Sequence, residues 1–216
     1  MGLLSEIGLY IGGLVFFIAV SSFIPLYAIS VSGIASPQYM NKFVNAIANS
    51  TYPSQLPSNV STGNVSRIES EIGINSSCGI ACLLGEISLG KSGGSLSSLL
   101  SEKAMSMYLL LFEALSVIGA ALIVISSKGT SRLSNLGKTT LSVSVFNFAG
   151  FFAIFSMILP YISRITINGT AVKMPVNLLS PLIYEIYILD AVFGGMGIAL
   201  ILTAFVIKKE YADKGK

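Results

Sequence analysis

The chain has 216 residues, 53% hydrophobic and 11% charged, with a formal net charge of +3 and a mean hydropathy of +0.79. Soluble domains carry about 25% charged residues, so this composition excludes an ordinary water-soluble fold and points to an integral membrane protein in a lipid bilayer. With no His, no Trp and two Cys, the chain by itself cannot assemble the usual ligand sets for haem, copper, zinc or an iron–sulfur cluster, and no cofactor or metal is expected; without a basic patch interleaved with aromatics, there is no basis for nucleic-acid binding.

Four apolar stretches are each long enough to cross a hydrocarbon core of about 30 Å. Because backbone groups must find their hydrogen bonds internally in lipid, they predict an all-α protein, a four-transmembrane-helix bundle. In chain order the expectation is a first transmembrane helix over 1–32, an extracytoplasmic cap over 33–103 and a second helix over 104–126. A cytoplasmic loop over 127–138, a third helix over 139–163 and a short extracytoplasmic loop over 164–180 come next. A fourth helix over 181–207 leads to a cytoplasmic tail over 208–216.

The first helix opens on "MGLLSEIG", which lacks the basic region of a signal peptide, and its apolar run exceeds an ordinary signal core. Pro25 lies inside it after Ser21 and Ser22, and frees a backbone carbonyl. Gly8 and Gly12 offer a close-packing face.

The long segment that follows is rich in Ser, Asn and Gly, with Lys42, Arg67, Lys91 and Lys103 against Glu69, Glu71, Glu86 and Glu102. Such a surface is hydrated mainly by neutral groups, which suits an acidic exterior and an archaeal cell envelope. Cys78 and Cys82 are expected to close a small disulfide on the oxidising side; two free thiols on one face of a short helix are the alternative. Sequons stand at Asn49, Asn59, Asn64 and Asn75, with a fifth at Asn168 in the second outer loop, so glycosylation is expected there. None falls in a segment assigned to the inside.

Orientation follows from charge. Lys128, Arg132 and Lys138 stand in the 127–138 loop with no acid, and Lys208, Lys209, Lys214 and Lys216 outnumber Glu210 and Asp213 in the tail. The positive-inside tendency therefore places both termini in the cytoplasm and the long loop outside.

The second helix repeats Glu113, Ser116 and Ala120 on one face; the fourth carries Ala191, Gly195 and Ala199 as a small-residue packing stripe beside Asp190, Gly194 and Gly197. Glu113 and Asp190 are expected to be buried neighbours, each about 13 Å below the outer helix ends at about 1.5 Å per residue. Glu185, between Tyr184 and Tyr187, is expected nearer the headgroups. With no cation inside any span, these acids are expected to stay protonated and to orient helices through hydrogen bonds to Asn147, Ser116, a tyrosine or a carbonyl, at about 1 kcal/mol each. A proton or cation site is the alternative, because ionisable groups inside a membrane often mark pathways.

Four spans, a large first outer segment with a cysteine pair and a small second one give a layout similar to that of claudin-type tetraspan proteins. The similarity is one of topology: the chain has no Trp for the motif that marks that family, and its cysteine spacing differs, so no site residue is carried over. No nucleophile–histidine dyad, phosphate loop or dinucleotide motif is present, so no enzymatic activity is expected. The expected function is a structural or accessory subunit of a membrane homo-oligomer or of a complex with other membrane subunits. A proton or cation carrier using Glu113 and Asp190 is the second expectation.

Overall fold

The computed structural model describes residues 3–34, 38–39, 42, 102–158, 164–167, 170–173 and 176–214. Four long helices dominate: α1 (Leu3–Val31), α2 (Glu102–Ser126), α3 (Ser131–Ala153) and α4 (Ser180–Lys214). Each is long and apolar enough to cross a membrane, as the hydropathy of the sequence predicts. Cys78, Cys82 and the sequon asparagines Asn49, Asn59, Asn64, Asn75 and Asn168 lie outside the described residues.

Local chemistry sets the helix ends. At the end of α1 the Ser32 N–H donates to the Ala28 carbonyl at 2.9 Å, and Gly33 takes a left-handed φ of 68°, the conformation that closes a helix C-terminus and that glycine adopts without a Cβ penalty. α4 grows from a 3₁₀ turn, Val176–Leu179; Ser180 Oγ donates back to the Asn177 carbonyl at 2.8 Å. Pro181 costs little in the first turn, where its missing N–H has no helical partner to lose.

α3 begins at Ser131, not at 139, and leaves only Ser127–Thr130 as a turn from α2. The polar residues of 131–138 are poor membrane residues but acceptable helix residues, so helicity runs past the apolar stretch. The far end of α3 continues into a π-helical turn, Ile154–Ile158.

A second departure lies in the 164–180 segment, where β1 (Arg164–Ile167) and β2 (Thr170–Lys173) pair antiparallel, with Arg164 opposite Lys173 and Ile167 opposite Thr170. The four long segments are helical as expected; this ribbon is an addition the all-α reading lacked. Its sequence, "RITINGTAVK", puts Asn-Gly between two short β-branched runs, a strong hairpin signal.

The chain divides into two compact units. The first comprises Met1–Tyr27, Tyr108–Phe151 and Ile186–Lys216; the second comprises Ala28–Met107 and Phe152–Glu185. In the second unit the buried apolar residues among those described are Ala28, Ile34, Met105 and Leu179.

In the first unit α1 and α2 run antiparallel at very close range. A Cβ added to Gly119 would stand 2.6 Å from the Phe16 backbone nitrogen, and one on Gly12 would stand 3.0 Å from the Ile123 nitrogen. One on Gly8 would collide with Ser126. Helices in lipid gain little from burying apolar surface, since lipid is itself apolar; glycines let backbones approach and collect dispersion energy instead. α3 and α4 meet in the same way: a Cβ on Gly137 would lie 2.8 Å from the Gly197 carbonyl oxygen, and one on Gly197 2.8 Å from the Leu141 nitrogen. The Phe17 and Phe146 rings, with centroids 5.0 Å apart at 60°, join α1 to α3 edge to face.

The α2–α3 turn is heavily tied. Gly129 takes φ 55°, Lys128 N–H donates to Ser131 Oγ at 3.2 Å, and Ser131 Oγ donates to the Lys128 carbonyl. Ser127, 1% exposed, accepts from Arg132 Nε on its carbonyl at 3.1 Å and from Asn135 Nδ2 on its hydroxyl at 2.9 Å. Antiparallel packing gathers the start of α1, this turn and the end of α4 at one end of the unit, so Lys128, Arg132, Lys208 and Lys209 share it.

Candidate functional site

The face that α3 turns inward carries Gly137, Thr140, Val143, Ser144 and Asn147, all buried. Thr140 Oγ1 donates to its own helix, at the Leu136 carbonyl, 2.8 Å. Ser144 reaches across instead: its Oγ donates to the backbone carbonyl of Asp190 at 2.7 Å in a buried bond. It reaches because Gly194, one helical turn beyond Asp190, has no side chain; a Cβ there would lie 2.8 Å from Ser144 Oγ.

Asp190 itself is 1% exposed, and neither carboxyl oxygen has a hydrogen-bond partner. The amide of Asn147 is the polar group that acts on that carboxyl, but its Nδ2 stops short of hydrogen-bond geometry and is likewise without a partner. The site is thus a carboxyl and a carboxamide, both buried between α3 and α4, with hydrogen-bonding capacity unused on each. A buried polar group without a partner costs about 1–3 kcal/mol, more when charged, so such a pair is a place where chemistry is to be sought. A second buried polar atom without a partner is Ser21 Oγ on α1; Pro25, four residues on, cannot donate to the Ser21 carbonyl.

Of the other acids, Glu113 differs from expectation. Glu113 is exposed on α2, between Leu110, Leu111, Val117 and Ile118, each at least half exposed, so Glu113 and Asp190 do not form a buried pair. The α2 face used for packing is the one that carries Gly119 and Ile123, a different side of the helix. Glu185 is half-buried and Tyr184 exposed, while Tyr187 packs against Phe148 at 5.3 Å.

The small residues also divide. Gly8 and Gly12 pack as expected, against α2, while Ser116, half-buried, spends its hydroxyl on the Phe112 carbonyl at 2.7 Å and Ala120 is half-buried. Ala191, Gly195 and Ala199 are exposed, and nothing lies within 4 Å of a Cβ built on Gly195. The stripe, expected to serve oligomerisation or else contacts within the subunit, points outward; Asp190, Gly194, Gly197 and Ala204, all buried, point inward. Gly119, Gly137 and Ser144 complete the contacts and were not singled out from sequence, although the 3-and-4 spacing of 137, 140, 144 and 147 marks a packing face.

Among the described residues, no cluster of three or more Cys, Asp or Glu could hold a metal ion. Comparison of the chain with protein-family profiles, with curated proteins and with solved structures finds no match.

Proposed function

We propose that this chain is a non-enzymatic building block of a membrane assembly, a structural or accessory subunit that binds copies of itself or other membrane subunits. The observation that carries this reading is Glu113, an acid exposed in the middle of an apolar helix face. A carboxyl turned toward lipid is costly, and ionisable side chains in spans nearly always face protein or water, so a further chain is called for at that face. The outward stripe of Ala191, Gly195 and Ala199 adds a second surface on which another helix can approach closely.

In this reading the basic end of the first unit faces the cytoplasm, in keeping with the positive-inside tendency. Both termini are then inside, and the 33–103 segment forms an outer cap with glycans at Asn49, Asn59, Asn64, Asn75 and Asn168 and a Cys78–Cys82 disulfide, on the envelope of an acid-living archaeon. What speaks against a carrier that uses Glu113 and Asp190 together is that the first is exposed and the second enclosed.

The test is the mass and composition of the particle extracted from its native membrane in mild detergent. A particle of several 22.8 kDa chains, or one with stoichiometric foreign subunits, is expected; a monodisperse single chain overturns the reading.

A further inference from the structure

We propose that Asp190 is a proton-exchanging group inside the membrane, which takes up and releases a proton beside Asn147 through water admitted between α3 and α4. The proposal stands on geometry internal to the chain and is independent of the assembly reading above. Three features carry it.

First, Asp190 is 1% exposed and Asn147 5%, yet both Asp190 carboxyl oxygens and Asn147 Nδ2 are without hydrogen-bond partners. A purely structural carboxyl would spend its oxygens on a neighbour, as Ser144 spends its hydroxyl on the Asp190 carbonyl. Here the helix-to-helix bond is made by the serine, and the carboxyl has only the neighbouring Asn147 amide acting on it, short of a formed hydrogen bond. Second, the surroundings are polar enough to admit water, which needs about two to four hydrogen-bonding partners: the carboxyl, the Asn147 amide and Ser144 Oγ meet that need.

Third, no buried cation is available to the group among the described residues. On α3 the charged residues are Arg132 and Lys138, on α1 Glu6, near the middle of α2 Glu113, and towards the end of α4 Lys208, Lys209 and Glu210, all exposed. Glu185, five residues before Asp190, is a half-buried acid. Of the tyrosines, Tyr10 and Tyr27 are exposed on α1, Tyr108 is half-buried on α2, Tyr184 is exposed on α4, and Tyr187 packs on Phe148. A proton is therefore the available counter-charge. A calcium or magnesium ion would need about six to eight oxygens, which one carboxyl, one carboxamide and one hydroxyl do not supply.

The test uses an accident of composition: Asp190 and Asp213 are the only aspartates in the chain. Asp213→Asn protein, labelled with carboxyl-13C aspartate and reconstituted in lipid vesicles, reports Asp190 alone in infrared spectra without altering the site. The expected result is an isotope-shifted band of the protonated carboxyl that is lost as pH rises and restored as it falls, at constant sodium. Asn147→Leu should move the midpoint of that loss, and Glu6→Gln, on the exposed surface of α1, should not. A labelled band that persists at every pH, one that never appears, or one that sodium removes at constant pH overturns the proposal.

Discussion

Ser144 on α3 hydrogen-bonds the main chain of Asp190 on α4, not its side chain, and Gly194 makes room for it. The bond therefore fixes the height of the two helices against one another while leaving the carboxyl uncommitted. Ser144→Ala should cost about 0.6–2 kcal/mol, the range for hydrogen bonds between membrane helices. Gly194→Ala, which drives a methyl against Ser144 Oγ, should cost about 1–3 kcal/mol. Because both act on one contact, the double variant should lose less than the sum; reversible unfolding in mixed micelles measures all three.

Gly119 and Gly13 make a matched pair. A Cβ on Gly119 meets the Phe16 backbone, whereas nothing lies within 4 Å of one on Gly13. Gly119→Val should separate α1 from α2 and abolish cross-linking of a Gly8→Cys/Ser126→Cys pair introduced into a chain whose own cysteines are replaced. Gly13→Ala should leave both stability and cross-linking within about 0.5 kcal/mol of the parent.

Glu113→Leu and Gly195→Ile change only outward faces. Each should preserve the unfolding midpoint of the isolated chain and lower the mass of the detergent-extracted particle, read by light scattering. Glu113→Gln, which keeps hydrogen bonding and loses charge, should fall between parent and Glu113→Leu.

Gly129 takes φ 55° in the α2–α3 turn. A β-branched residue there is strained by about 1–2 kcal/mol, whereas Asn tolerates the conformation. Gly129→Val should accordingly lower the unfolding midpoint clearly more than Gly129→Asn.

Hydropathy located all four helices that are long and apolar enough to cross a membrane, because the need to hide backbone from lipid writes itself into long apolar runs. It misplaced the start of α3, since hydropathy measures suitability for lipid and Ser131–Lys138 is helical without being apolar. The face of α4 was harder. Ala191, Gly195 and Ala199 repeat strictly every four residues, and a four-residue step overshoots one turn of 3.6, so that line winds around the helix. Asp190, Gly194, Gly197, Ile201 and Ala204 alternate steps of four and three, averaging 3.5, and so stay facing a neighbour. α3 obeys the same rule at Gly137, Thr140, Ser144 and Asn147. Glu113 was misread because Ser116 and Ala120 looked like a packing face, while the contact with α1 is made by Gly119.

The 35 residues of α4 amount to about 52 Å of helix at about 1.5 Å per residue, against a hydrocarbon core of about 30 Å. Its charged end from Lys208 onward extends past the apolar run. Only residues 180–207, about 42 Å at about 1.5 Å per residue, would have to fit a bilayer, which they would do with some tilt, more in a thin one than in a thick one. Gly137 and Gly197 let the α3 and α4 backbones meet, with the side chains of Leu141 and Ile201 packed alongside, so a change of angle between the two helices would be felt at this crossing. In a bilayer, thickness would then be a variable of this protein in its own right, since the angle between α3 and α4 would set how Asp190 is presented to Asn147.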